Sequence, residues 1–169
     1  MDARDYYWSA GYCVFRKLVP DEKIDRVLSA YRADILPSTS YFFRQSRHRW
    51  AKNSITSHGY AIDSYLGVHD YPQYPRFCEE VRDVLCGLEM RRALSELTGS
   101  AEQGLVQSML FDLNTATPAH QDWYYLDSLP NGHLIAAWIA LEDIEETAGR
   151  FFIVPKSHLL EFDPSNTLS

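Results

Sequence analysis

His120 and Asp122 are the residues whose types and spacing could most directly do chemistry. They lie in Pro118-Ala119-His120-Gln121-Asp122-Trp123-Tyr124-Tyr125-Leu126. On an extended chain, residues two apart point to the same face, so an imidazole and a carboxylate stand side by side. That is two thirds of the two-His, one-carboxylate set that holds Fe(II) and leaves positions open for co-substrate and O₂. A His-x-Asp triplet is short enough to arise by chance. Its bland reading is a hydrogen-bonded pair in a polar loop, so its weight rests on what flanks it.

The flanking sequence predicts helices first and strands later. Gly11 to Arg16 reads as a short strand, and Pro20 opens a helix with Asp21 and Glu22 in its first turn. Ile24, Val27, Leu28, Tyr31 and Ile35 make its apolar face, and Pro37 stops it. Ser38 to Tyr74 has no clear period and gathers Arg44, Arg47, His48, Arg49 and Lys52. It reads as a long surface segment with strands at its ends, or more sharply as a substrate-facing loop. Pro75 to Thr98 is helical through Phe77, Val81, Val84, Leu85 and Leu88, continued by Leu94 and Leu97, with a break at Gly87 and a stop at Gly99. Leu105 to Leu113 alternates as a strand. Asn114 to Pro118 turns the chain into the His120 strand, and Pro130-Asn131-Gly132 marks a loop. The continuous apolar run Leu134 to Leu141 predicts a buried strand, and Phe151 to Val154 another. This order suggests an α+β, mainly β domain: N-terminal helical and strand flanks over 1–104, then a sheet over 105–169 that curls toward a barrel or jelly roll.

Composition bounds the function. The chain has 169 residues, 46% of them apolar and 23% charged, enough for one domain with a real core. Its net charge of −7 disfavours nucleic-acid binding. From Ala93 onward eleven acidic residues face only Arg150 and Lys156. No signal peptide and no apolar run long enough for a membrane span is evident. Three cysteines, Cys13, Cys78 and Cys86, in an odd number without ligand spacing, read as buried thiols of a cytoplasmic protein rather than a disulfide framework.

Several stretches together resemble the phytanoyl-CoA dioxygenase-like Fe(II)/2-oxoglutarate oxygenases: His120-Gln121-Asp122, Asn131-Gly132-His133, Ala137-Trp138-Ile139-Ala140-Leu141-Glu142-Asp143, and Gly149 through Val154-Pro155-Lys156-Ser157-His158. The Gly11-Tyr12 segment and the helix after Pro20 are similar to that family's opening. The resemblance implies a double-stranded β-helix of jelly-roll, cupin-like type with iron at one open end. It implies oxidative decarboxylation of 2-oxoglutarate coupled to hydroxylation of a small organic substrate. It makes His120 and Asp122 metal ligands and catalytic residues, and it puts Gln107 and Trp138 on strands lining the co-substrate pocket.

The departures from the family pattern are specific. The family's second His ligand and the Arg that pairs with the far carboxylate of 2-oxoglutarate come well after the Pro-x-Ser-His loop, beyond the residues here. Lys156 stands where the family usually has Gly. The expectation is therefore a jelly roll incomplete at its C-terminus: an oxygenase or its N-terminal part, poorly active alone, in a homo-oligomer or with a complementing polypeptide. His158 is a substitute third ligand at best, being the loop residue that the family places there. One rival reading is a catalytically inactive binding or regulatory module on the same scaffold. Another is a cupin-like metal-binding protein using His120, Asp122 and His158 without 2-oxoglutarate. His133 reads as a solvated loop residue, and His48, His58 and His69 have no ligand spacing. Trp123, Tyr124 and Tyr125 could wall a substrate pocket but are more often core. Glu142 to Glu146 reads as a solvated acidic turn.

Overall fold

Helical periodicity in the first hundred residues is realised as packed helices. The computed structural model of the chain describes residues 2–113, 117–122, 126, 128–129 and 132–160. The chain divides into two compact units, Phe15–Thr115 and Met1–Val14 with Ala116–Ser169. The first fourteen residues thus group with the later part of the chain.

In the unit Phe15–Thr115, helix α2 (Asp21–Ala30) starts after Pro20, with Asp21 and Glu22 in its first turn. It runs into a π turn over Tyr31–Ile35. Val27, Ala30, Tyr31 and Ile35 face inward. Helix α3 (Pro75–Leu85) buries Phe77, Cys78, Val81 and Val84, and α4 (Leu88–Thr98) buries Met90, Ala93 and Leu97. Gly87 separates the two, and Gly99 ends α4 in the left-handed conformation that a side chain disfavours. Leu88 lies exposed and Met90 takes the inward position instead. Helix α2 is tied to α3 and α4 by charge. Lys23 Nζ lies 3.0 Å from Asp83 Oδ1 and 2.9 Å from Glu89 Oε2. Arg26 reaches Glu80 at 2.8 Å and Asp83 at 2.9 Å.

The segment without clear period folds as a hairpin around a buried guanidinium. Strands β1 (Phe42–Arg44) and β2 (Arg49–Ala51) pair antiparallel, Phe42 with Ala51, Phe43 with Trp50 and Arg44 with Arg49. Arg44 is 1% exposed. It donates through Nη1 to the Asp63 carbonyl at 3.1 Å and through Nη2 to Asn53 Oδ1. Its guanidinium carbon sits 4.2 Å from the Tyr65 ring centre, the cation–π arrangement that partly replaces water around a buried charge. Asn53 Nδ2 in turn donates to the carbonyls of Ile35 and Leu36 at 2.8 and 2.9 Å, satisfying the end of the π turn. Phe42 packs on Tyr65, Tyr71 and Tyr74. The Tyr31 hydroxyl is buried beside Tyr65 and Asp112 without meeting either in hydrogen-bond geometry, and burial pushes its pKa well above the ordinary phenol value. Strands β3 (Tyr65–Leu66) and β4 (Met109–Leu110) form a second antiparallel pair.

In the other unit, helix α1 (Ala3–Ala10) is capped at its start by Asp2, whose side chain accepts from the Asp5 amide at 2.7 Å. Gly11, at φ +83°, ends it. The Lys156 amide donates to the Ala10 carbonyl at 2.8 Å. The His158 ring lies against Gly11, where an added Cβ would collide with it. His158 Nε2 donates to the Trp8 carbonyl at 3.2 Å. Lys156 has φ +65°. The left-handed backbone explains why the family resembled here carries Gly at this point.

Four expected strands are not formed in full as ladders among the described residues. Gly11 to Arg16 is irregular chain after a helix cap, because Gly11 is used to stop α1. Of Leu105 to Leu113 only Met109 and Leu110 pair, opposite the short β3. Leu134 to Leu141 and Phe151 to Val154 are apolar but have no ladder partner among the described residues, and Phe152 is 62% exposed. A strand needs a neighbour for its backbone groups as well as apolar side chains. The two runs meet through the Trp138 and Phe151 rings, stacked 5.3 Å apart. The expected wall of Trp123, Tyr124 and Tyr125, the Asn114 turn and the Pro130-Asn131 turn lie outside the described residues.

Two stability measurements test these contacts. Hydrogen bonds to Glu89 and Asp83 hold the Lys23 ammonium above its ordinary value, and Lys23 holds both carboxyls below theirs. The carboxylate contribution is complete above roughly pH 4.5 and is lost as the pH falls through the depressed values; the ammonium contribution is lost as the pH rises past roughly 10.5. Lys23→Met should therefore lower the urea midpoint at about pH 7, and the difference should shrink towards pH 2. A difference independent of pH would assign Lys23 to packing alone. At the other unit, Lys156→Gly should stabilise by up to about 1 kcal/mol and Gly11→Ala should destabilise by about 2 kcal/mol, through strain and the collision with His158. Both can be read from urea unfolding, and equal midpoints for all three proteins would contradict the left-handed assignments.

Candidate metal centre

The centre is built on a short irregular stretch. From Thr117 to Gln121 the backbone forms no ladder among the described residues. It nonetheless brings the His120 and Asp122 side chains together. His120 Nε2 and Asp122 Oδ1 lie 3.1 Å apart. Both side chains remain about half exposed, at 45% and 61%.

The other ring nitrogen decides what Nε2 can do. His120 Nδ1 is 2.8 Å from the Pro118 carbonyl oxygen. A carbonyl only accepts, so Nδ1 carries the proton, and in the neutral ring the lone pair is on Nε2. An imidazole lone pair then faces a carboxylate oxygen. Two acceptors at this distance call for a cation between or beside them. Metal-binding histidines are oriented in this way, with the remote N–H on a backbone carbonyl. Two donors each about 2.1 Å from one ion and at right angles lie about 3.0 Å apart, close to the spacing found. One imidazole nitrogen with one carboxylate oxygen suits Fe(II), Mn(II), Co(II) or Ni(II). The same spacing serves an ordinary His–Asp ion pair when the ring carries both protons. Among the described residues, no group of three or more His, Cys, Asp or Glu side chains is placed to hold a metal. The pair thus fits as two of three ligands.

Two supports of the pair have no counterpart in a side-chain reading of the sequence. One is the Pro118 carbonyl, findable only by asking which backbone oxygen lies two residues before the ring. The other is Gln121, whose Nε2 donates to the Ser157 carbonyl at 2.6 Å. It fastens the middle of the His-x-Asp triplet to the loop that contacts α1.

The remaining candidates are dispersed. Trp138 belongs to the same unit as the pair and is 47% exposed, stacked on Phe151. Gln107 belongs to the unit Phe15–Thr115, exposed two residues before β4. His158 gives its Nε2 proton to Trp8 and packs on Gly11, so its ring serves the loop. His69 Nδ1 lies 2.6 Å from Ser108 Oγ, a local link between the ends of β3 and β4. The three cysteines are free thiols. Among the described residues no helix is long and apolar enough to cross a membrane.

Comparison with known proteins identifies a family. The family model described as phytanoyl-CoA dioxygenase matches residues 7–167. The peroxisomal phytanoyl-CoA dioxygenase of Mus musculus is 25% identical over 175 aligned positions, covering 94% of this chain and 47% of the relative. The chain therefore spans about half the length of that relative. No solved structure matches the chain. A match that runs from α1 past the Lys156 loop, and so includes His120-Gln121-Asp122, shows that the chain belongs to the phytanoyl-CoA dioxygenase family.

Proposed function

We propose that this chain supplies the iron-holding part of an Fe(II)/2-oxoglutarate-dependent hydroxylase acting on a small organic substrate. The carrying observation is the His120 ring, whose Nδ1 is committed to Pro118 and whose Nε2 faces Asp122 Oδ1 at 3.1 Å. Family membership supports the reading, since the relative's printed name is that of a dioxygenase. When bound, iron and 2-oxoglutarate supply oxygen activation, with 2-oxoglutarate decarboxylated to succinate as the substrate is hydroxylated. His120 and Asp122 hold one side of the ion. The Pro118 carbonyl fixes the imidazole tautomer, and Gln121 anchors the segment between the two ligands. A jelly-roll arrangement would use the apolar runs Leu134 to Leu141 and Phe151 to Val154 as strands, with Trp138 and Gln107 lining the co-substrate pocket. Further strands, from the same chain, a second copy or another polypeptide, would pair with those runs and bring the third ligand and a cation for 2-oxoglutarate.

Metal titration tests the reading directly. Mn(II), Co(II) or Ni(II) should bind this chain weakly, and His120→Ala or Asp122→Ala should reduce affinity at least about tenfold. Binding that is the same in wild type and both variants would place the metal elsewhere and defeat the proposal. In an assembly that contains this chain and turns over, succinate release under Fe(II), ascorbate and O₂ should fall at least about a hundredfold in either variant. Residues 1–169 alone should release little succinate. Losing a bidentate Arg–carboxylate contact to the co-substrate costs on the order of 3 kcal/mol, roughly a hundredfold in affinity.

A further inference from the structure

The end of α1 brings two phenols together at the surface. Gly11 turns the chain left-handed, and its amide donates to the Tyr7 carbonyl at 2.8 Å. In helix ends of this kind the residue after the glycine folds back over the last turns. Here that residue is Tyr12, and it meets Tyr6. The two rings stand edge to face at 78°, their centres 5.6 Å apart. The Tyr6 hydroxyl donates to the Tyr12 hydroxyl at 2.9 Å. An apolar pair would close the helix end equally well, so the helix end alone does not call for two hydroxyls.

The pair is set apart from other tyrosines by being both in contact and open to solvent. Tyr6 is 39% exposed and Tyr12 is half-buried. Tyr31 and Tyr65 also touch, at 5.7 Å, but they are 3% and 0% exposed. Tyr7 packs on Trp8 instead, at 5.5 Å. Tyr41 and Tyr60 are exposed without a tyrosine ring against them among the described residues.

We infer that Tyr6 and Tyr12 form an oxidative modification site, at which a peroxide-derived one-electron oxidant joins the two rings by a carbon–carbon bond ortho to each hydroxyl. Each phenol gives one electron to the oxidant and its hydroxyl proton to water. The unpaired electron left behind is shared between the oxygen and the ring carbons beside it. Two such carbons, one from each ring, form the new bond, and their hydrogens move to the oxygens as the hydroxyls re-form. Two electrons and two protons leave in all. One hydrogen peroxide takes them up and becomes two waters. The product carries its hydroxyls side by side, as the 2.9 Å contact already holds them. Rings held in contact need no diffusional encounter to couple. The link closes the chain on itself across Gly11 and makes the end of α1 covalent. Neither tyrosine belongs to the His120–Asp122 pair, so the site stands apart from the metal-centre reading.

Treatment of the dilute, metal-free full chain with hydrogen peroxide and a haem peroxidase tests the site. The expected product runs as a single chain on a denaturing gel and shows the blue fluorescence of a biphenol. Its tryptic peptide Asp5 to Arg16 should be lighter by two hydrogen atoms. That peptide holds one cysteine, Cys13, so an internal disulfide cannot account for the loss. Tyr6→Phe and Tyr12→Phe should each abolish the mass loss and the fluorescence of this peptide, whereas Tyr7→Phe should keep both. Phenylalanine retains the ring contact, and circular dichroism on each variant checks that the fold is kept. Cys13 is a competing electron source beside Tyr12, so Cys13→Ser is treated in parallel and should give at least as much product. Absence of the linked peptide from both wild type and Cys13→Ser overturns the proposal. So does a link that survives Tyr6→Phe, or coupling only between molecules through Tyr41 or Tyr60, either of which would leave the pair as packing at a helix end. The metal titration reads His120 and Asp122 alone, so either proposal can fail without the other.

Discussion

The unit Phe15–Thr115 depends on one buried charge. A guanidinium taken out of water must recover its hydrogen bonds from protein. Arg44 does so in part, its two terminal nitrogens donating to the Asp63 carbonyl and the Asn53 side chain with the Tyr65 ring against it, while Nε meets no acceptor among the described residues. These partners come from two stretches of the chain, Asn53 and Asp63 to Tyr65, and each is committed elsewhere as well. Asn53 closes the end of the π turn, Asp63 takes Ser46 and Arg47, and Tyr65 opens β3. The hairpin, the helix end and the second strand pair are therefore held in one arrangement. A lysine would keep the charge but could not reach both partners with a planar fork. The requirement to satisfy Arg44 explains why a segment with no hydrophobic period still folds.

The His120–Asp122 pair obeys a different constraint, set by local hydrogen bonding rather than packing. Its two side chains are half exposed and lie on an irregular stretch of chain. What distinguishes them from a chance surface pair is the commitment of Nδ1 to a carbonyl two residues upstream. That single hydrogen bond turns the lone pair toward the carboxylate. The Gln121 contact with Ser157 then links this short stretch to the loop at Lys156, where the backbone is left-handed.

Features that depend on side-chain spacing were legible in the sequence. The helices follow from the three-and-four spacing of Val27, Tyr31, Phe77, Val81 and Val84, and Gly87 and Gly99 mark their ends because glycine tolerates what helix ends require. The closeness of His120 and Asp122 was expected from their two-residue spacing, although the chain that carries them is irregular rather than a strand. Features that depend on backbone partners or long-range satisfaction were not legible. An apolar run such as Leu134 to Leu141 shows that a segment seeks cover without showing which strand provides it. Arg44 looks like a surface cation because nothing near it in sequence announces Asn53 and Tyr65. Lys156 stood out as a departure from family pattern, and only its positive φ shows why glycine is the usual residue there.

The contact between α1 and the Lys156 loop bears on the order in which the chain folds. His158 and Trp8 are 150 residues apart, and closing a loop of that length costs roughly 4 kcal/mol in chain entropy beyond a constant. On a ribosome, Trp8 emerges first and must wait for nearly the whole of the described sequence before its partner exists. The contacts of Phe15–Thr115 are complete earlier and can form while synthesis continues. Helix α1 is too short to persist alone in water. It is thus a segment whose helical form waits on the loop, since the contacts that hold its C-terminal end come from Lys156 and His158.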